Sequence, residues 1–138
     1  MPASKTTPCQ TPLYFEDFKP AVALGTHVDV YDQVMSDRWC SIYGIDPGSG
    51  AEQASIALVL AMRALLSVVA PRPPGNVHAR QRMTLCALPV LGETVQSEVT
   101  CVRKEIKRER RYVDFAVKGF GENGRSLYEA EMSLIWAA

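Results

Sequence analysis

Histidine is scarce in this sequence, since His27 and His78 are the only two among 138 residues. The four cysteines are widely spaced and form no CxxC pair. No group of His, Cys and carboxylate residues has the close spacing that zinc ligands require. We therefore expect neither a bound metal nor a disulfide framework.

The sequence also lacks an excess of charge of either sign. Fifteen basic residues balance fifteen acidic ones, so no overall field favours nucleic acid or an anionic membrane as a partner. The one basic cluster, residues 103–111, contains two glutamates and is interpreted as a turn between strands. Residues 1–12 are polar and proline-rich, which is not the pattern of a signal peptide. We expect a reduced, cytoplasmic protein whose first twelve residues form a flexible arm.

One long apolar run, residues 51–69, dominates the rest of the chain. Its residues favour a helix, and at about 1.5 Å per residue the helix would be about 28 Å long. A membrane span is the alternative, but Arg63 lies in mid-run and the polar residues share one arc of the helix. The pattern predicts a central helix that is buried nearly all round, with these residues on its polar arc: Glu52, Gln53, Ser55, Arg63 and Ser67.

Strand patterns surround this helix in the sequence. Residues 26–36 alternate imperfectly and precede a short helix at 38–43, for which Asp37 is the expected N-cap. Four alternating segments follow the long helix at 77–88, 94–103, 111–119 and 126–136, and we expect hairpins to join most of them. The last segment is expected to be an edge strand. Residues 13–138 are therefore predicted to form one α+β domain with the hot-dog fold, a curved antiparallel sheet wrapped around one long central helix.

Two segments resemble the MaoC-like dehydratases, the (R)-specific enoyl-CoA hydratase family. Residues 13–20 (LYFEDFKP) followed by Gly25 are similar to the family's YFEDFxxG opening. Residues 89–94 (PVLGET), after RQRMTL at 80–85, resemble its RFLRPVFPGDTL segment. The resemblance covers about residues 13–136. It implies a domain that is usually dimeric and that binds an acyl thioester of coenzyme A or of a carrier protein.

The resemblance also locates a departure from the family. Members hydrate enoyl thioesters, or dehydrate hydroxyacyl ones, with an Asp and a His in a D-x-N-P-x-H loop before the central helix. The matching loop here is residues 44–49 (GIDPGS), which places Gly44 at the Asp position and Ser49 at the His position. Asp46 falls at the Asn position. The family's acid and base are therefore both missing from their expected places.

Residues in this loop and in the first turn of the helix are the primary site candidates. Asp46 is a candidate displaced acid or base, and it is equally a turn former before Pro-Gly. Ser49 is a candidate hydrogen-bond donor. Glu52 is a candidate carboxylate for a thioesterase reaction, or a helix-capping residue. Backbone amides at a helix N-terminus can polarise a thioester carbonyl, which makes these residues substrate-binding candidates: Gly50, Ala51, Gln53 and Ala54.

Further candidates lie outside the loop. His78 is predicted to share the polar face of its strand with Arg80 and Arg82, as a candidate base beside two arginines that suit the phosphates of coenzyme A. Each of these three also fits an ordinary solvent-facing strand position. His27 is a weaker candidate. Arg63 either forms an ion pair across a dimer interface or points into a polar cavity.

Three functions stay open from the sequence. The first is an acyl-thioester-handling protein with an altered or absent dyad, acting as a hydro-lyase if it is active. The second is a thioesterase of the same fold, and the third is a non-catalytic acyl-CoA-binding or partner subunit of a hot-dog hetero-oligomer. In each case coenzyme A or phosphopantetheine is part of the substrate rather than a cofactor. A homodimer or higher homo-oligomer is expected, without nucleic acid or membrane partners.

Overall fold

A computed structural model describes residues 11–44 and 49–138 of the chain. A short 3-10 turn at Phe15–Asp17 precedes five strands and two α-helices. The strands are β1 (Val22–Val30), β2 (Val77–Leu85), β3 (Thr94–Lys107), β4 (Arg110–Phe120) and β5 (Ser126–Trp136), and the helices are α1 (Gln33–Tyr43) and α2 (Gly50–Val68). All strand pairs are antiparallel, in the order β1-β3-β4-β5-β2. The predicted arrangement of one antiparallel sheet and one long helix is confirmed.

The core lies between α2 and one face of the sheet. Alternating residues of β3, β4 and β5 are buried there, as the period-2 pattern predicts. Three alanines of α2 (Ala57, Ala61 and Ala64) are fully buried and allow the helix backbone to approach the strands closely. Larger side chains fill the remaining space on both sides of this contact, including Leu60, Leu65, Phe115, Met132 and Trp136.

The segment before α2 differs from its prediction. The strand is Val22–Val30, not residues 26–36, and the short helix begins at Gln33 rather than at residue 38. Asp32, not Asp37, is the N-cap, because its extended backbone lets the carboxylate accept a hydrogen bond from the Met35 amide at 3.0 Å. The strand therefore gives way to helix several residues earlier than the alternation indicates.

Helix α2 has nearly the predicted bounds, but it is not buried all round. The sheet covers one side only, and Leu58, Val59 and Leu66 are 38–44% exposed on the other side. The sequence pattern places Glu52 on the polar arc of the helix, but the structure has it fully buried. By length and composition α2 is also apolar enough to cross a membrane, a property that the core helix of a soluble domain shares. Its packed face, with Leu60 and the alanines at 0% exposure, is typical of such a core helix.

Hairpins join β3 to β4 and β4 to β5, as predicted, but the connection from β2 to β3 is not a hairpin. β2 and β3 follow each other in the sequence but are not neighbours, so residues 86–93 cross from the β2 edge toward the opposite side of the sheet. The edge strands are β1 and β2, and the prediction that β5 is an edge strand is wrong. β5 lies between β4 and β2. The basic cluster does contain a turn, since Arg108 and Glu109 both have positive φ between β3 and β4.

Glu93 joins the crossing segment to the rest of the sheet. Its carboxylate accepts hydrogen bonds from the amides of Val90 at 3.0 Å and Glu122 at 2.9 Å, and it pairs with Arg125 at 2.5 Å. Burial alone would raise the pKa of Glu93, but the two amides and the arginine outweigh it and hold the pKa below its usual 4.5. Gly121 lies against this carboxylate and leaves no room for a Cβ atom. The PVLGE tract, residues 89–93, thus has a structural role.

Candidate functional site

The first turn of α2 presents backbone N–H groups. Ser49 is the N-cap, and its Oγ accepts a hydrogen bond from the Glu52 amide at 3.2 Å. The Gln53 amide donates to the Ser49 carbonyl at 3.0 Å. Within the described residues, no acceptor pairs with the amides of Gly50 and Ala51, and both residues are exposed. Two donors at the positive end of a 19-residue helix can bind a carbonyl oxygen or an anion.

The remaining site candidates before α2 and in its first two turns are Asp46, Ser49, Gln53 and Ala54. Gln53 and Ala54 are half-buried in the first two turns of α2. Asp46 lies outside the described residues, so its prediction stays untested. Ser49 uses its oxygen as a helix cap, and its hydroxyl hydrogen is not committed by that bond.

Glu52 connects α2 to α1. Its fully buried carboxylate accepts hydrogen bonds from the Tyr31 hydroxyl, from Ser36 Oγ at 2.8 Å and from Cys40 Sγ at 3.4 Å. Tyr31 follows β1 directly, whereas Ser36 and Cys40 lie one turn apart on α1. A buried carboxylate needs such donors, because its desolvation is costly without them. The cluster therefore fixes the position of α1 beside the start of α2.

The residues around Glu52 were not identified from the sequence. The sequence pattern assigns Tyr31 and Ser36 to an irregular strand and Cys40 to a short helix, and it gives none of the three a role in the site. One sequence feature could have indicated these partners: Glu52 lies in the first turn of an apolar helix. A carboxylate that turns inward there requires hydrogen-bond donors from a neighbouring segment.

A groove of about 380 Å³ lies between α1 and α2. Its apolar lining comes from α1 and α2, and it includes Met35, Trp39, Ile42, Tyr43, Ile56 and Val59. Trp39 and Tyr43 contact each other with ring centroids 4.9 Å apart, which makes one wall aromatic. Ser55 places the groove next to the first turn of α2, and Arg38 and Arg63 add two positive charges. A concave apolar site of this size with a few polar groups suits a small-molecule ligand.

Arg63 forms an ion pair within its own chain. Its Nε lies 2.9 Å from Asp29 Oδ2, and His27 Nε2 lies 3.5 Å from the same oxygen. His27 and Asp29 are two residues apart on β1 and point to the face that α2 covers. The groove that Arg63 lines is apolar rather than the polar cavity that was one of the two possibilities, and an ion pair of Arg63 across a dimer interface stays a prediction.

A polar row continues from His27 across the inner face of the sheet. His27 is opposite Ser97, Ser97 opposite Gly119, and Gly119 opposite Tyr128. Because Gly119 has no side chain, the Tyr128 ring lies over it and its hydroxyl reaches Ser97 Oγ at 2.5 Å. Burial, together with the negative charge of Asp29, raises the pKa of Tyr128 to about 12, against the opposing effect of the Ser97 hydrogen bond. The phenol therefore stays neutral at physiological pH.

The three candidates on β2 do not join the site at α2. Arg80 and Arg82 are opposite Ser133 and Glu131, so they point to the outer face of the sheet, away from the helix. There they border a small depression of about 140 Å³. A bulge at Ala79 reverses the alternation, and His78, opposite the buried Leu134, points to the other face. The prediction that His78 stands beside the two arginines is wrong.

Comparison with known proteins agrees with the fold. No family model matches the chain, and no curated protein sequence matches it. Solved structures do match it, among them a MaoC-like dehydratase from Rhodospirillum rubrum (TM-score 0.71, 14% identity, 90% of this chain and 96% of that chain). The unliganded R-hydratase PhaJ1 from Pseudomonas aeruginosa matches with a TM-score of 0.67 and 13% identity, over 91% of this chain and 86% of that chain.

A third match is the C-terminally truncated HadBC (3R-hydroxyacyl-ACP dehydratase) complex from Mycobacterium tuberculosis. Its TM-score is 0.61 at 13% identity, over 79% of this chain and 90% of that chain. Identities this low show a shared fold and do not transfer an activity. The predicted hot-dog fold is confirmed.

Proposed function

We propose that this chain binds an acyl thioester, with the thioester carbonyl at the first turn of α2 and the acyl chain in the groove between α1 and α2. The observation that carries the proposal is the pair of amides of Gly50 and Ala51, exposed at the positive end of α2 beside an apolar groove of about 380 Å³. The amides suit the carbonyl oxygen, and the groove suits the chain. The coenzyme A or phosphopantetheine portion belongs to the ligand.

The proposal is for binding without the acid and base of the (R)-hydratases. Hydration of an enoyl thioester requires a group that takes a proton from water and a group that returns one to the substrate. The sequence has Gly44 and Ser49 at the two matching positions, and the Ser49 oxygen already caps α2. Neither residue supplies a base. We therefore expect the chain to bind enoyl and saturated acyl thioesters alike.

Thioester hydrolysis through Glu52 is the less favoured alternative. An attacking carboxylate needs access to the carbonyl carbon, whereas that of Glu52 is fully buried and accepts hydrogen bonds from Tyr31, Ser36 and Cys40. Its contacts favour a role in holding α1 beside α2.

We also propose that the protein works as a homodimer. β2 is an edge strand with most of its residues exposed, and the uncovered side of α2 exposes 44% of Leu66. An edge strand next to an exposed apolar surface favours pairing with a second copy. The mycobacterial match, which is itself a complex, agrees with assembly in this fold. Leu66→Glu is expected to shift sedimentation at micromolar concentration to the monomer, whereas Ile106→Glu, on the β3–β4 hairpin, should not. A wild-type monomer would contradict this proposal.

Calorimetry with octanoyl-CoA, coenzyme A and octanoate tests the binding function. We expect measurable affinity for octanoyl-CoA and much weaker binding of the two fragments, since neither fragment fills both the groove and the amide site. Equal affinity for coenzyme A and octanoyl-CoA would contradict the proposal. Loss of enoyl absorbance with crotonyl-CoA would instead indicate a hydratase, and release of free thiol a thioesterase.

A further inference from the structure

The groove between α1 and α2 is apolar along its length but carries positive charge. Its lining includes Arg38 and Arg63 and no acidic residue. Arg38 forms no ion pair with any residue in 11–44 or 49–138. Asp29 pairs with Arg63 and therefore neutralises only one of these two positive charges. The groove thus keeps one positive charge that an apolar chain alone does not neutralise.

Arg63 lies toward the end of this groove that is farther from the proposed thioester site. At about 1.5 Å per residue, its Cα is about 18 Å along α2 from Ala51. Side chains of a helix lean toward its N-terminus, so the guanidinium extends back along the groove toward the first turn. A ligand held at the amides of Gly50 and Ala51 would therefore approach Arg63 with the distal end of its chain.

The guanidinium of Arg63 is paired with one carboxylate and incompletely used. Asp29 Oδ2 lies 2.9 Å from Nε, close enough for an ion pair but not aligned as a hydrogen bond. Across the described parts of the chain, the Arg63 side chain donates no hydrogen bond, so both Nη groups are available to a ligand. A planar guanidinium with both Nη groups available is suited to a carboxylate, which accepts two hydrogen bonds from Nη groups. The ion pair with Asp29 keeps the half-exposed side chain near β1 before the ligand arrives.

We propose that the acyl chain bound by this protein ends in a carboxylate, so that the ligand is a dicarboxylic acyl thioester and Arg63 is the residue that selects it. This inference rests on the proposed acyl-thioester function. Arg38 contributes positive charge at the α1 wall, and the apolar residues between the two ends of the groove contact the methylene chain.

The test is calorimetry with two series of coenzyme A thioesters of six, eight, ten and twelve acyl carbons, one ending in a methyl group and one in a carboxylate. At the length that spans the groove, the carboxylate series should bind wild-type protein at least about tenfold more tightly. Arg63→Gln should remove this preference, so that the two series bind the variant with affinities within about threefold of each other. Arg103→Gln is the matched control, because Arg103 also pairs through Nε with a carboxylate, that of Asp114 at 3.1 Å, and does not line the groove.

Each outcome of this experiment is decisive. Equal affinity of wild-type protein for the two series at every length would overturn the inference and leave the proposed function intact. Binding of neither series would overturn the proposed function, and the inference with it. If Arg63→Gln does not fold, the wild-type comparison and Arg38→Gln, which should reduce the carboxylate preference severalfold, decide the question. A preference that survives in a folded Arg63→Gln protein would contradict the role of Arg63.

Discussion

Replacing Glu93 by glutamine tests whether the PVLGE tract has a structural role. Glu93 is 5% exposed and accepts hydrogen bonds from two amides and one guanidinium. A hydrogen bond to a charged group contributes about 1.5–3 kcal/mol. A glutamine retains one acceptor oxygen and turns an NH₂ group toward an N–H donor, so one or two bonds are lost. We expect Glu93→Gln to lower the free energy of unfolding by about 2–4 kcal/mol at pH 7.

The pH dependence of this difference follows from the pKa of Glu93. The fold holds that pKa below 4.5, so the unfolded chain takes up the proton first as the pH falls. The stability that the carboxylate contributes is therefore fully present above about pH 5 and decreases as the pH falls through the pKa of the folded state. The variant has no such group to titrate. The difference between the two proteins should accordingly shrink below about pH 5.

Urea unfolding at pH 7 and at intervals down to pH 3 measures this difference. Glu98→Gln is the matched control, since Glu98 is exposed on β3, and its effect should stay within about 0.5 kcal/mol. The reasoning is refuted if Glu93→Gln is as stable as wild type at pH 7. It is equally refuted if a large difference at pH 7 persists unchanged at pH 3.

Two other predictions concern the buried side of the sheet. Tyr128→Phe should remove part of the stability that the wild type loses at alkaline pH. A pKa raised to about 12 keeps the phenol protonated in the folded protein, whereas the phenol of the unfolded chain ionises near pH 10. A wild-type free energy of unfolding that is unchanged between pH 9 and pH 11.5 would contradict this. Cys86 is exposed and Cys101 is fully buried, with burial raising the pKa of its thiol. Mass spectrometry after brief alkylation should therefore find Cys86 modified and Cys101 intact until the protein is denatured, and equal rates at the two thiols would count against the packing described.

The fold was accessible from the sequence because its two signals are local. A continuous apolar run predicted α2, and period-2 alternation predicted the strands of the sheet. The errors occurred where long-range contacts decide. The position of β2 beside β5 depends on a crossing segment anchored by Glu93, which no local pattern encodes. The bulge at Ala79 changed the face of His78 for the same reason, because a register shift depends on the partner strand.

Only the backbone N–H donors of the site could be predicted from the sequence. The N-terminus of a helix presents N–H donors whatever its side chains, so Gly50 and Ala51 could be identified from the helix boundary alone. The side-chain partners could not. The sequence pattern placed Glu52 on the polar arc, whereas donors from Tyr31, just after β1, and from Ser36 and Cys40 on α1 draw it inward. Arg63 and Asp29 lie far apart in the sequence, and only the packing of α2 on β1 shows their ion pair.

The most direct test of the acyl-thioester site removes one backbone donor at the start of α2. Proline is tolerated at the first helical position, and Ser49, with φ −68° and ψ 158°, already has the conformation that a following proline requires. Gly50→Pro therefore deletes one N–H while preserving the helix. Gly50→Ala keeps the N–H, and its Cβ would enter open space.

Calorimetry of octanoyl-CoA binding to these two variants is the decisive measurement. We expect Gly50→Ala to bind like wild type and Gly50→Pro to bind about tenfold more weakly, with unchanged circular dichroism. Equal affinity of the two variants would contradict the assignment of the thioester carbonyl to the amides of α2.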